Sequence, residues 1–299
     1  MRKAIKLLAG LGLLGALIVK AGPGNVLDGV RAVGWETYAF AVVLYLIGQV
    51  ACAFKWRAIA VSMGIVEPGW KYQALYLSGM FMNVFLPTAI GGDVGRAYLL
   101  SGRDGFGTGF VSVLAERYFG FVVLTLILAA GLYLHEGFLP LPAAGTLKFL
   151  PVAVIVLPFL LLPWEKRIRR LLFPSHPEVS QSVSGLLRNG RLVTLSLVLS
   201  AVFYLAYIAM HVLVGNSLNI PATPWEFAII VTLASLVSMI PVSIGGLGLR
   251  EGSYMYLLSL QGVESPAGIA FGVAILAVSL TLSLLGGVVL FVLRSAGKV

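Results

Sequence analysis

Two stretches of the chain follow one pattern, P-x-x-I-G-G-x-x-x-R, first at residues 87–96 and again at residues 241–250, 154 positions later. In both copies a proline ends an apolar segment, a glycine pair turns the chain, and a new apolar segment begins with an arginine in its first turns. Broken apolar segments at matching positions of two halves are typical of transporters built from inverted repeats, in which the breaks line the central site. A chance likeness between two glycine-rich loops is the alternative.

The composition indicates a membrane protein. Hydrophobic residues make up 59% of the chain and charged residues only 11%, whereas soluble domains carry about 25% charged residues. The net charge of +9 comes from basic residues scattered between apolar runs, without the aromatic-interleaved basic face of a nucleic-acid-binding protein. We therefore expect membrane lipids, and no nucleic acid, as partners.

The sequence contains no pattern typical of a catalytic or cofactor-binding domain. Cys52 is the single cysteine, so a disulfide within the chain and a cysteine-based zinc site are excluded. His135, His176 and His211 occur singly, without a second ligand at metal-binding spacing. Neither a nucleophile elbow, a Walker loop nor a dinucleotide fingerprint is present. We expect no metal, no cofactor and no enzymatic activity.

Several apolar runs reach the length that a bilayer crossing needs, about 20 residues, and six spans are plausible. The predicted spans are 5–22, 38–62, 108–134, 147–163, 192–217 and 266–293. Segments 70–103 and 225–260 are also apolar, but each is broken into halves too short to cross alone. Irregular backbone at membrane depth is tolerated only inside protein or along a wet cavity. The sequence thus predicts an all-α polytopic membrane protein, with about six transmembrane helices and two re-entrant helical hairpins in an inverted repeat.

The basic residues predict the orientation of these spans. Most fall on one side of the membrane: Arg2, Lys3, Lys6, Lys55, Arg57, Lys71, Lys166, Arg167, Arg169, Arg170, Arg188, Arg191, Arg294 and Lys298. The other side holds only Lys20, Arg31 and Lys148. The positive-inside rule then places both termini in the cytoplasm, with the protein in the cytoplasmic membrane. Residues 1–134 and 145–299 would form two repeats of three crossings each, so the second is inverted.

Each hairpin break carries groups suited to an anion. The second half-helix should direct its free N–H groups and positive dipole end into the membrane, and an arginine in its first turns could bind a phosphate. The glycine pairs Gly91–Gly92 and Gly245–Gly246 would let the backbone approach a headgroup. Arg96 and Arg250 would then share one site near mid-depth. Alternatively, these arginines bind loop carbonyls or the nearby acids Asp93 and Glu251.

Glu116 and Arg117 lie well inside the third predicted span, about 12–14 Å from its start. Charged residues at this depth are rare, face the protein interior and suggest function. Glu116 could neutralise a hairpin arginine while Arg117 contacts a ligand. A fixed interhelical ion pair that holds the hairpin is the alternative.

Two polar stripes occur at helical spacing. They consist of Tyr45, Gln49, Cys52 and Trp56 on the second span and of Ser200, Tyr204, Tyr207 and His211 on the fifth. Polar side chains on such faces are usually hydrogen-bonded between helices, and we expect that role here.

Three motifs in order resemble those of the flippase-like integral membrane family related to the transmembrane region of lysylphosphatidylglycerol synthases. They are residues 83–96, residues 112–117 with Gly120, and residues 241–251. The resemblance implies movement of an anionic or aminoacylated phospholipid between leaflets. Because the chain ends soon after its sixth span, we expect the synthase chemistry of that family to be absent.

We therefore expect a lipid translocase that carries a phosphate-containing headgroup through a central polar cavity. The residues expected to contact the lipid are Asn83, Gly91, Gly92, Asp93, Arg96, Glu116, Arg117, Gly245, Gly246, Arg250 and Glu251. One alternative is a non-catalytic subunit that presents a lipid-linked substrate to a partner enzyme. Another is a lipid-modifying enzyme with Glu116 or Asp93 as general base, but no carboxylate pair or His–acid set occurs at catalytic spacing. Oligomeric state stays open.

Overall fold

A computed structural model describes residues 2–85, 91–102, 105–139, 141–161, 185–186, 188–240 and 246–297, and the secondary structure of these ranges is helical. The helices are α1 Arg2–Ala21, α2 Pro23–Ala32, α3 Trp35–Ser62, α4 Gly69–Phe85, α5 Gly91–Ser101, α6 Phe106–Leu134, α7 Leu141–Lys148, α8 Leu150–Leu161, α9 Gly190–Ser217, α10 Pro224–Ser238, α11 Leu249–Ser259 and α12 Ser265–Ser295. The break residues 86–90 and 241–245, with Gly245 among them, lie outside the described residues.

Four of the predicted spans are confirmed as helices long and apolar enough to cross a bilayer. They are α3, α6, α9 and α12, of 28 to 31 residues each. The predicted span 147–163 contains the shorter helix α8, of 12 residues, and residues 162–163 are outside the described part of the chain. The predicted span 5–22 corresponds to α1, which is followed by a sharp bend.

The bend between α1 and α2 measures 93° and has a local cause. Gly22 adopts a φ of 85°, which glycine reaches without the steric cost of a side chain. Pro23 then opens α2, where its missing N–H leaves no helical hydrogen bond unmade. Gly-Pro therefore ends one helix and starts another in a new direction.

The two segments that carry the repeated motif each form a pair of shorter helices that pack against each other, α4 with α5 and α10 with α11. A side chain at Gly92 would overlap the carbonyl oxygen of Gly79 on α4, so glycine permits the close approach of α4 and α5. Gly246 has a φ of 77° and lies against Ser238 at the end of α10. Both glycines thus make close contacts within their helix pairs.

The helix pairs pack between the long helices in a regular way. Helix α3 runs along α9, and the two pairs each contact three long helices, α3, α6 and α12 for the first pair and α6, α9 and α12 for the second. Helix α4 packs on α12 while α5 packs on α6, and α10 packs on α6 while α11 packs on α12. Gly286 of α12 lies against the carbonyl of Leu77 on α4, as close helix packing requires. This arrangement leaves a cavity between the first helix pair and α3, α6 and α9.

Candidate functional site

A cavity of about 340 Å³ lies among α3, α4, α5, α6, α9 and the end of α10. Its walls have two characters. One part is lined by the five charged side chains of the cavity, which are Lys55, Asp93, Arg96, Glu116 and Arg117. Another part is lined by apolar side chains, including Met80, Phe121, Leu124, Phe203 and Met239. The cavity can therefore accept a charged group and an apolar group of the same molecule.

Glu116 of α6 is the centre of the ionisable part. One carboxylate oxygen, Oε1, lies 2.9 Å from Nζ of Lys55 on α3. The other, Oε2, accepts a hydrogen bond of 2.9 Å from Nη2 of Arg96 on α5. All three side chains are buried. Because charges removed from water need close partners, this arrangement links α3, α5 and α6.

Asp93, one turn before Arg96 on α5, extends the row of charges. Its Oδ1 lies 3.2 Å from Nη2 of Arg96, and its Oδ2 lies 2.5 Å from Nη2 of Arg117. Asp93 is buried, whereas 44% of the Arg117 side chain is exposed. The cluster contains three cationic side chains and two carboxylates, so its formal charge is +1. An anion with one negative charge would neutralise it.

Arg96 is held in place by aromatic rings as well as by carboxylates. Its guanidinium carbon lies 4.8 Å from the ring centre of Trp56 and 4.5 Å from that of Tyr76. Trp56 is itself oriented by a hydrogen bond of 3.0 Å from its Nε1 to Oγ of Ser112. Nη1 of Arg96 is buried without a hydrogen-bond partner among the described residues. A buried guanidinium N–H without a partner is costly, and a ligand atom or water in the cavity would relieve that cost.

The starts of α5 and α11 differ from the free helix ends that we expected. The N–H of Gly92 donates a hydrogen bond of 2.9 Å to Oδ1 of Asn83 on α4. The N–H of Gly248 donates one of 2.6 Å to Oε2 of Glu251. At least one N–H group at each start is therefore bound by the protein's own side chain. Asn83 nevertheless lines the cavity, beside the charged cluster.

The structure brings together Asn83, Asp93, Arg96, Glu116 and Arg117 at one cavity. Gly91 and Gly92 are at the start of α5, beside this group. Gly246, Arg250 and Glu251 belong to the second helix pair and do not line the cavity. Nη2 of Arg250 lies 3.3 Å from Oε1 of Glu251. This arginine therefore binds a nearby acid, which was the alternative to binding a phosphate.

The structure corrects the place of Lys55, which the sequence pattern counts among the basic loop residues; the side of the membrane is a separate prediction. Lys55 lies within α3 with 1% of its side chain exposed, paired with Glu116 and donating a hydrogen bond of 3.0 Å to Oγ of Ser200. The available signal was its position inside the predicted span 38–62, one helical turn after Cys52. A lysine inside a predicted span, like Glu116, is expected to face the protein interior and pair with a charged partner.

The two polar stripes have mixed roles. Trp56 and Ser200 make hydrogen bonds between helices, as expected. Likewise, Nε2 of His211 lies 2.9 Å from the hydroxyl of Tyr254 on α11. In contrast, Tyr45, Gln49, Cys52 and Tyr204 line the cavity. Within the described ranges, no group of three His, Cys, Asp or Glu side chains is placed to hold a metal ion.

Comparison with known proteins agrees with this membrane architecture. The family model of the lysylphosphatidylglycerol synthase TM region matches residues 3–287. Two UPF0104 membrane proteins of Methanothermobacter thermautotrophicus are similar over most of their length. One is 23% identical over 293 residues, covering 87% of this chain and 86% of the relative. The other is 26% identical over 285 residues, covering 81% and 79%. The chain therefore belongs to the family of the lysylphosphatidylglycerol synthase transmembrane region.

Proposed function

We propose that this protein is a lipid translocase that moves an anionic, phosphate-containing lipid headgroup between the leaflets of the cytoplasmic membrane. The observation that carries the proposal is the cavity with two kinds of wall, a cluster of formal charge +1 beside apolar side chains. A lipid phosphate matches the first and the start of an acyl chain matches the second. Arg117, part-exposed and about 16 Å from the start of α6, is the group best placed to meet the phosphate.

The energy source for such movement does not come from bound nucleotide, because the sequence carries no nucleotide-binding motif. Transport would be passive or driven by an ion gradient or the membrane potential. A lipid with one net negative charge responds to the membrane potential by about 2.3 kcal/mol per 100 mV. This energy is enough to bias the distribution of a charged lipid between leaflets.

The proposal includes an inverted repeat with two re-entrant helix pairs and both termini in the cytoplasm. Helices α3, α4, α5 and α6 begin at residues 35, 69, 91 and 106, and α9, α10, α11 and α12 at 190, 224, 249 and 265. The starts thus differ by 155, 155, 158 and 159 residues, close to the spacing of the motif. The packing is reciprocal as well, because each pair places its first helix on the last long helix of the other half.

Cysteine accessibility tests this topology. In a Cys52→Ala background, Glu67→Cys before α4 should react only with reagent that reaches the cytoplasm. Pro221→Cys before α10 and Glu264→Cys after α11 should both react from outside. Labelling of Pro221→Cys and Glu264→Cys from opposite sides would contradict re-entry of the second pair.

Two other functions make different predictions. A non-catalytic subunit would bind a lipid in the same cavity and present it to a partner enzyme, without moving it between leaflets. A lipid-modifying enzyme would use Glu116 or Asp93 as a base. Against the enzyme, Glu116 contacts Lys55 and Arg96, and Asp93 contacts Arg96 and Arg117, so the protein's own cations already pair with both carboxylates.

Reconstitution in liposomes distinguishes the three functions. Purified protein is inserted into vesicles that contain fluorescent phosphatidylglycerol, and the fraction that becomes accessible to a membrane-impermeant quencher is followed. The translocase should expose inner-leaflet lipid in proportion to the protein content, and Arg117→Ala should reduce the rate. Arg31→Ala is the matched control, because Arg31 is an exposed arginine paired with an acid three residues away, Asp28. If the protein binds the lipid but does not move it between leaflets, the result favours the presenting subunit. If the lipid is chemically changed, the result favours the enzyme.

A further inference from the structure

We propose that Asp93 is an internal competitor for the anion site, occupying Arg117 until the phosphate of a ligand displaces it. This inference rests on the proposed function, because it names what the cavity binds and how binding is limited. The ligand chemistry is a singly charged phosphodiester. Asp93 would thus determine affinity and release without serving as a ligand contact.

The contact between Asp93 and Arg117 has the features of a displaceable pair. The two groups are 2.5 Å apart, yet Oδ2 of Asp93 accepts no hydrogen bond of suitable direction among the described residues. Arg117 is also 44% exposed and already lines the cavity, so it can separate from Asp93 without unfolding its surroundings. In contrast, Glu116 receives a directed hydrogen bond from Arg96 and a second cation, Lys55. Asp93, and not Glu116, is therefore the carboxylate that can exchange.

Arg96 provides a second contact for the phosphate that would displace Asp93 from Arg117. Asp93 bridges Arg96 and Arg117, as the two oxygens of a phosphodiester could. Nη1 of Arg96 is buried, lacks a partner in the described chain, and belongs to a residue that lines the cavity. A phosphodiester could contact this nitrogen and Arg117 together, while Asp93 keeps its contact with Nη2 of Arg96.

The charge of the cluster limits which anion fits. Three cations and two carboxylates leave one positive charge, which a phosphodiester neutralises and a phosphomonoester with two negative charges exceeds. The apolar wall with Phe121 and Leu124 adds a requirement for attached hydrocarbon. We expect dioctanoyl phosphatidylglycerol to bind more tightly than dioctanoyl phosphatidic acid at pH 8. It should also bind more tightly than glycerophosphoglycerol, the same headgroup without acyl chains.

The test is the affinity of purified, detergent-solubilised full-length protein for dioctanoyl phosphatidylglycerol. Asp93→Asn keeps the size of the side chain and removes its charge, so binding should become about two- to fivefold tighter. Asp28→Asn is the matched control: Asp28 also pairs with an arginine three residues later, but outside the cavity, and its loss should leave the affinity unchanged. In an Arg117→Ala background, Asp93→Asn should give a clearly smaller gain.

Several results would overturn the inference. Weaker or unchanged binding by folded Asp93→Asn would show that Asp93 positions the arginines instead of competing for them. An equal gain in the Arg117→Ala background would show a general charge effect, and equal binding of glycerophosphoglycerol would identify a free phosphodiester as the ligand. If wild-type protein binds none of these probes, both this inference and the proposed function fail. If Asp93→Asn binds more tightly but the protein moves no lipid in liposomes, the role of Asp93 as a competitor would stand and the proposed translocase activity would fail.

A structure of the wild-type protein with dioctanoyl phosphatidylglycerol provides a second test, independent of whether Asp93→Asn folds. The phosphate should lie within hydrogen-bond distance of Arg117 and of Nη1 of Arg96, with Asp93 more than about 4 Å from Arg117. Bound phosphate with the Asp93–Arg117 contact intact would overturn the exchange.

Discussion

Lys55 and Glu116 form an ion pair between α3 and α6, with Nζ 2.9 Å from Oε1 and both side chains buried. The pair therefore joins two long helices at the charged part of the cavity, and it makes the stability of the bundle depend on the residues that would bind a ligand.

Glu116→Gln should strongly destabilise the protein, because Lys55 and Arg96 would remain buried with one carboxylate fewer. Breaking a buried pair on one side typically costs about 3–5 kcal/mol. Glu67→Gln is the control, since it removes a similar lysine contact in a part-exposed pair with Lys71, where a loss below about 1 kcal/mol is expected. Thermal unfolding in detergent measures both. Equal shifts for the two variants would mean that the buried cluster is not what stabilises the bundle.

Lys55→Met should reduce both stability and the affinity for phosphatidylglycerol, because the cluster falls from one net positive charge to none. Adding Glu116→Gln to Lys55→Met should cost less stability than Glu116→Gln costs in the wild-type protein, since the contact between Lys55 and Glu116 is already absent. Residues in one ion network show coupling energies of about 0.5–3 kcal/mol in a double-mutant cycle. Additive losses, measured by the same thermal unfolding, would contradict a direct Lys55–Glu116 interaction.

The cavity predicts that replacing Arg96, Arg117 or Arg250 will have different effects on lipid binding and folding. Arg117→Ala should weaken phosphatidylglycerol binding about ten- to a hundredfold while the protein stays folded, since a hydrogen bond to a charged group contributes about 1.5–3 kcal/mol. Arg117→Lys should restore only part of this, because lysine lacks the planar fork. Arg96→Ala should lower the yield of folded protein, since Arg96 contacts two buried carboxylates.

For Arg250→Ala we expect an affinity within about twofold of wild type, because Arg250 does not line the cavity and contacts Glu251 instead. Binding titrations of all four variants measure this difference. A loss with Arg250→Ala as large as that with Arg117→Ala would place both helix pairs at one anion site.

Gly92→Ala should destabilise the protein through packing. The added methyl group would overlap the carbonyl oxygen of Gly79 and force α4 and α5 apart, and overpacking of this kind typically costs about 1–3 kcal/mol. Gly24→Ala, at a helical position with open space around the α-carbon, is the control and should be neutral or slightly stabilising. If Gly92→Ala instead unfolds like wild type but binds lipid weakly, the glycine serves the headgroup and not the helix contact.

Hydropathy and local backbone chemistry were enough to predict most of the helices of this protein from its sequence. The four long helices, the two broken pairs and the intramembrane position of Glu116 and Arg117 follow from apolar runs, Pro–Gly breaks and the rarity of charge at depth. These properties are local, since each depends on residues within a few helical turns. The family membership follows from sequence as well, because the motifs lie in one order along the chain.

Only the tertiary structure decided which charges meet. Lys55 contacts Glu116 across 61 positions of sequence, and Arg250 turns to its neighbour Glu251 instead of joining Arg96 at the cavity. Such choices depend on how each helix is rotated and how closely its neighbours approach, which glycines such as Gly92 and Gly286 set through contacts with distant residues. A sequence pattern specifies the face of a helix, but the partner of that face is determined by the packing of the whole bundle.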